Sequence, residues 1–199
     1  PYYDFVAAGL AVDLASIQGG EIPIDPQSFY YMIRTPEDQR FLNDSDFKAK
    51  VQNSLKIDDV DFSQYDLIFM AGGWGAAYDL GTSQVLGQKL SQAYASPRKP
   101  IIGSVCHGAL GLIQAKNAEG QLLIAGRRMT AVTNKQLHEL GIDATPQHPE
   151  TELRKARAET VKASGVPWKA NALRHSFISY RLSIVQNAAG ATTRKTLRY

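Results

Sequence analysis

Apolar positions along the chain change their spacing several times, and each change marks an element. Tyr2, Phe5, Val6 and Leu10 lie three and four residues apart, which predicts a short helix that stops at Gly9. Leu10-Ala11-Val12-Asp13-Leu14-Ala15 reads as a strand closed by Gly19-Gly20. Ile22-Pro23-Ile24-Asp25-Pro26 is extended loop, because two prolines remove ladder donors. Residues 36–56, with Phe41, Phe47, Val51 and Leu55 among polar neighbours, predict a partly helical excursion, read as a cap inserted beside the site. Tyr65 to Ala71 is a nearly continuous apolar strand, as expected in a parallel sheet covered on both faces. It runs into Gly72-Gly73-Trp74-Gly75, and a helix is predicted from about Ser83 to Ala95.

A second apolar run, Pro100 to Val105, ends at Cys106-His107-Gly108, after which Leu110 and Ile113 open a helical spacing. Leu122-Leu123-Ile124 and Met129-Thr130-Ala131-Val132 predict short strands around a turn at Gly126-Arg127. Thr133-Asn134 caps a helix containing Leu137 and Leu140. Alternating strand and helix predicts a doubly wound α/β fold with right-handed crossovers. In such sheets the active site lies beyond the carboxyl ends of the strands, where Gly72–Gly75 and Cys106 both fall.

Composition narrows the setting. At 199 residues, 44% hydrophobic and 21% charged, the chain can bury an ordinary globular core. Its apolar runs fall far short of the roughly 20 residues of a membrane span, so no membrane contact is expected. A single cysteine excludes an internal disulfide and fits a reducing, cytoplasmic compartment, with no targeting segment in view. The net charge of +3 is unevenly spread: residues 152–199 hold ten of the 22 Lys and Arg against Glu152 and Glu159, a net +8. The other 151 residues carry 12 basic and 17 acidic side chains, a net −5. Such asymmetry marks a nucleic-acid contact, a segment of different origin or, by default, a solvated basic face.

The candidate chemistry sits at Cys106. Strand, sharp turn, nucleophile and helix in succession form a nucleophile elbow, and Gly103, Ser104, Gly108 and Ala109 are small enough for it. A cysteine there lies over a helix N-terminus, whose unpaired N–H groups favour thiolate. The competing reading is a buried small hydrophobe, where most free cysteines go. Gly72-Gly73-Trp74-Gly75 alone is a loop needing positive φ. It lacks the Lys-Ser/Thr of a P-loop and the spacing of a dinucleotide fingerprint. Beside Cys106 it becomes an oxyanion hole, with the Gly73 and His107 N–H groups facing a developing alkoxide. His107 serves as acid/base if the turn bends it back toward the thiol; otherwise it is a satisfied surface histidine. His138, His148 and His175 are scattered and suggest no metal site.

Ala71 to Leu80, Val105-Cys106-His107-Gly108 and Arg127 to Asn134 together resemble the ThiJ/PfpI superfamily, the group with the class I glutamine amidotransferase-like fold. Residues 1–26 and His148 to Leu153 are similar to it as well, so the resemblance covers about residues 1–155, with 156–199 a divergent basic segment. It implies a three-layer α/β sandwich with a flavodoxin-like, mostly parallel sheet. Members include glutathione-independent glyoxalases, which convert methylglyoxal to lactate, proposed deglycases, stress chaperones and a few peptidases. By that resemblance Cys106 is the nucleophile, His107 its partner, and Gly73 with His107 the oxyanion donors. Gly72, Trp74, Gly75 and Gly108 complete the substrate-binding set, with no cofactor, a small aldehyde as substrate and a homodimer as the expected assembly.

Two departures follow. The family opens with a further strand and a helix-borne Glu that hydrogen-bonds the cysteine. Both are expected to precede Pro1, so no residue here matches that Glu. Trp74 stands where many relatives have His, narrowing the pocket. In the tail, Trp168 to Phe177 is similar to the Leu-Arg-His-Ser/Thr-Phe box of tyrosine recombinases, with Arg174 at the phosphate-binding position. Asn171 replaces the usual His there, and Tyr199 lacks the nucleophile's context. His175 to Asn187 also overlays the superfamily's closing strand pair. The expectation is therefore a cysteine-dependent enzyme on small reactive carbonyls. The alternatives are a non-catalytic, chaperone-like member and a nucleic-acid-binding chimera.

Overall fold

The computed structural model describes residues 1–26, 35–164 and 184–186. Helix α1 (Tyr2–Ala7) stops where Gly9 takes φ 79°, a left-handed conformation that glycine adopts without strain. The strand predicted over 10–15 is two strands instead. β1 (Ala11–Asp13) enters the main sheet, and β2 (Ala15–Ser16) pairs parallel with β3 (Leu55–Lys56) in a separate two-stranded ladder. The chain is drawn to that ladder by polar contacts that an apolar count does not register. Ser16 and Ser54 hydroxyls meet at 2.8 Å, and Ser54 Oγ donates to the Gly20 carbonyl at 2.6 Å.

The excursion after residue 35 forms α2 (Pro36–Leu42) and α3 (Ser45–Gln52). Thr35 and Asp38 close a capping box on α2, and Asp44 accepts from the Phe47 N–H on α3, each satisfying a helix-start donor. Phe47 anchors the pair to α1: its ring stacks on Tyr2 at 3.7 Å and meets Tyr3 edge-on at 5.5 Å.

The main sheet runs β1-β6-β4-β5, with β4 (Leu67–Met70), β5 (Ile101–Ser104) and β6 (Ile184–Gln186). β4 and β5 are parallel in register Leu67↔Ile101 to Met70↔Ser104. β6 lies antiparallel between β1 and β4, which makes the sheet mixed. Ile68 and Met70 on β4 join one cluster with Leu86, Leu90 and Ala93 of α5 (Gln84–Ala95). Phe69, between them in sequence, meets the Phe5 ring of α1 at 5.8 Å. Alternation along β4 thus puts helices on both faces, giving the three layers of an α/β sandwich. Ser83 caps α5 as its position predicts.

The remaining elements are α4 (Ala76–Asp79), a 3₁₀ helix over Cys106–Leu112, α6 (Asn134–Glu139) and α7 (Pro149–Ser164). Thr133 caps α6 with Gln136 as its box partner. The strands expected at 122–124 and 129–132 do not form. Consecutive Leu123 and Ile124 are both buried, each in a different core cluster, so their apolar character reflects burial in a turn rather than alternation on a sheet. The helix predicted after Cys106 is 3₁₀, with Gly108 and Gly111 inside it. α7 runs continuously across position 155. The recombinase-like box at 168–177 lies outside the described residues. Among the described residues no helix is long and apolar enough to cross a membrane.

Leu90 is fully buried between α5 and β4. Leu90→Ala is expected to lower unfolding free energy in urea by about 2–5 kcal/mol, whereas Ala at exposed Gln88 stays within about 0.5 kcal/mol.

Candidate active site

Because β4 and β5 are parallel and in register, the chain leaves both at the same end of the sheet. Val105 N–H donates to the Met70 carbonyl at 3.3 Å, and Gly108 N–H returns to the Val105 carbonyl at 2.8 Å, closing a tight turn. Cys106, inside that turn, has φ 54°. For a residue with a Cβ this left-handed conformation costs roughly 1–3 kcal/mol and persists only where its surroundings dictate it.

Two glycines do the dictating. A Cβ on Gly108 would lie 2.1 Å from the Met70 carbonyl oxygen and 2.7 Å from that of Ala71, so only glycine lets the elbow rest on the end of β4. A Cβ on Gly72 would fall 2.8 Å from Cys106 Cβ, 2.9 Å from the Val105 carbonyl oxygen and 3.6 Å from Sγ. The structure therefore brings Gly72 and Cys106 side by side. Gly73 takes φ 105°, open only to glycine, while Gly75 has helical φ and open space around it. Of the loop glycines, Gly72 is required by space and Gly73 by conformation; Gly75 simply begins α4. Trp74 remains 40% exposed beside them.

His107 is not a surface residue. It is 1% exposed, and its Nδ1 lies 3.4 Å from Cys106 Sγ, with Nε2 buried and without a hydrogen-bond partner among the described residues. Burial lowers its pKa below the usual imidazole value, and nearby His148 pushes it the same way. Burial thus favours the neutral imidazole over the charged one.

Cys106 itself is half-buried and packs against Val132, Leu137 and Ile142. Nothing in the sequence marks these three as site residues. Val132 carries strand-like and Leu137 helix-like spacing, both of which read as core, and Ile142 gives no signal at all. A cavity of about 290 Å³ lined by Leu55, Asp59, Tyr65 and neighbours does not include the elbow.

A tight turn carrying Cys106 at the carboxyl edge of an α/β sandwich, with His107 Nδ1 beside its sulfur, defines a candidate cysteine-centred site. The chain belongs to the DJ-1/PfpI family, whose model matches residues 1–147. It is 26% identical over 147 residues to the glutathione-independent glyoxalase hsp3102 of Schizosaccharomyces pombe, covering 71% of this chain and 60% of that protein. It is 28% identical over 149 residues to the glutathione-independent glyoxalase HSP31 of Saccharomyces cerevisiae, covering 72% and 61%. The chain thus spans about 60% of the length of these curated relatives. Among solved structures, the Rapid Encystment Protein of 24 kDa from Francisella tularensis superposes with a TM-score of 0.72 at 29% identity, covering 90% of this chain and 75% of that one. Glyoxalase III of Candida albicans shares the fold, with a TM-score of 0.66 at 21% identity, over 94% and 77%.

A buried imidazole with a lowered pKa binds fewer protons folded than unfolded. Its contribution is therefore intact above the unfolded value of about 6.5 and is lost as pH falls through it, until the folded imidazole itself charges. Urea unfolding of the chain should show stability declining from about pH 7.5 toward 5.5, above the carboxylate range. His107→Gln should flatten that slope.

Proposed function

We propose that this chain is a cysteine-dependent enzyme acting on small reactive carbonyl compounds, of the glutathione-independent glyoxalase or deglycase type. The observation that carries the reading is the Cys106 sulfur, held in a left-handed turn with His107 Nδ1 at 3.4 Å. The names of the relatives support it at 26–28% identity.

In this mechanism His107 accepts the thiol proton and Sγ attacks the aldehyde carbon of methylglyoxal. The new C–S bond and a proton from His107 give a hemithioacetal. The C1 proton is then removed and a proton is returned to C2, so the former aldehyde carbon becomes a thioester and the ketone a hydroxyl. Water cleaves the thioester, releasing lactate and restoring the thiol, so the sum is methylglyoxal plus water to lactate. The backbone N–H groups of Gly73 and His107 stabilise the oxyanions; a donor of this kind typically contributes about 10²–10³ in rate. Gly72 leaves room for the thiol, and Trp74 restricts the opening to small substrates.

The test is lactate formation from methylglyoxal without glutathione. Turnover that falls to background in Cys106→Ser, with the circular dichroism spectrum unchanged, is the expected result. Gly72→Ala, whose Cβ crowds the thiol, should cost about 10² in kcat/KM through misplacement of the sulfur. A folded chain with no turnover, or a Cys106→Ser variant as active as the parent, overturns the proposal in favour of a non-catalytic member.

A further inference from the structure

His107 carries a ring nitrogen that the chemistry at the thiol leaves unaccounted for. Nδ1 lies 3.4 Å from Cys106 Sγ, while Nε2 is buried and has no hydrogen-bond partner among the described residues. In a neutral imidazole one nitrogen carries the proton and the other a lone pair. The partner of Nε2 therefore decides which form of Nδ1 the sulfur meets. Only a proton held on Nε2 leaves Nδ1 bare and able to take the thiol proton. A buried N–H of that kind calls for an acceptor.

The surroundings narrow the choice of acceptor. The 3₁₀ helix over Cys106–Leu112 packs against α7, with Ala109 and Leu153 in one core cluster. His148 stands immediately before α7, half-buried, and its carbonyl opens that helix by accepting from the Glu152 N–H at 3.0 Å. It is near enough for its charge to act on the His107 ring. The two carboxylates that flank it in sequence are committed elsewhere. Asp143 Oδ2 accepts from His138 Nδ1 at 3.1 Å. Glu150 accepts from Arg154 Nε and Nη2 and from the Asn134 N–H. The form of the His148 ring is set by a contact of its own, because Nε2 lies 2.9 Å from the Asp143 carbonyl oxygen. A carbonyl can only accept, so that nitrogen carries the hydrogen. The neutral ring then presents a bare Nδ1, which has no partner among the described residues.

We propose that His148 is a positioning residue for His107: its bare Nδ1 accepts, across one water molecule, from His107 Nε2–H and so keeps His107 Nδ1 free for the thiol proton. Neither ring bonds the other directly, so the link spans a water. The assignment rests on the reading of His107 as the base of Cys106.

Nitrogen NMR of the full chain, isotope-labelled at histidine and assigned with His107→Gln, shows which nitrogen of His107 holds the proton. The rate of Cys106 alkylation by iodoacetamide reports how readily the thiol gives up its own. At about pH 8, where a free imidazole is neutral, His107 should be in the Nε2–H form. Asparagine carries an acceptor in the place of Nδ1, and glutamine a donor in the place of Nε2. His148→Asn should therefore keep the parental proton position and rate. His148→Leu and His148→Gln should shift the proton toward Nδ1 and slow alkylation about tenfold, with circular dichroism spectra unchanged. If His148→Leu does not fold, the asparagine and glutamine variants decide. A proton on His107 Nδ1 in the parent, or a parental rate in folded His148→Leu, overturns the proposal. So does a glutamine variant that matches the parent while asparagine does not, since that would make His148 an anchor to Asp143 only. Neither readout needs methylglyoxal: a chain that forms no lactate yet follows this pattern sinks the glyoxalase reading and keeps the assignment.

Discussion

The contact on which the rest depends is the approach of Gly108 to the carboxyl end of β4. The elbow lies so close to the Met70 and Ala71 carbonyls that no side chain fits between them. That closeness, together with the Val105–Met70 and Gly108–Val105 backbone hydrogen bonds, fixes the turn. The turn in turn forces Cys106 into positive φ and sets its sulfur next to Gly72. Strain at one residue is tolerable because the surrounding core is large: Ile68, Leu90 and Leu110 are essentially inaccessible to solvent.

Much of this is legible in the residues, and the reasons are local. Strand, elbow and glycine loop are read from Tyr65–Gly75 and Pro100–Gly108 because parallel strands have a long apolar signature and sharp turns demand small residues. Ser83 and Thr133 mark helix starts through side-chain caps, which require only three or four neighbouring residues. What fails does so through long-range effects. The break at Leu14 comes from hydroxyls at Ser16 and Ser54, 38 positions apart. The missing strands at 122–124 and 129–132 show the ambiguity of short apolar runs, which satisfy turn burial as well as a ladder.

Within the site, Gly72 lies against Cys106, Gly108 rests on the end of β4, and His107 is buried with Nδ1 3.4 Å from the sulfur. The packing shell of Val132, Leu137 and Ile142 was not legible, since aliphatic residues around a thiol look like any other core. The glycines also separate by cause: Gly72 and Gly108 by clearance, Gly73 by conformation, and Gly75 by neither. A pattern of glycines alone cannot make that distinction, because it follows from atoms contributed by the partner strand. The resemblance and the family match agree over the α/β portion, where these contacts lie.

The central claim, that Cys106 is held in a left-handed conformation by its setting, is tested most directly by comparing the stabilities of Cys106→Gly and Cys106→Ala. Both remove the sulfur, but only glycine relieves a positive φ. At an ordinary position alanine is the more stable of the two, by roughly 0.5–1 kcal/mol in regular structure. Here the glycine variant should unfold at higher urea concentration, by about 1 kcal/mol. An alanine variant more stable than the glycine variant would show that the turn is unstrained, and would contradict the account of how the thiol is presented.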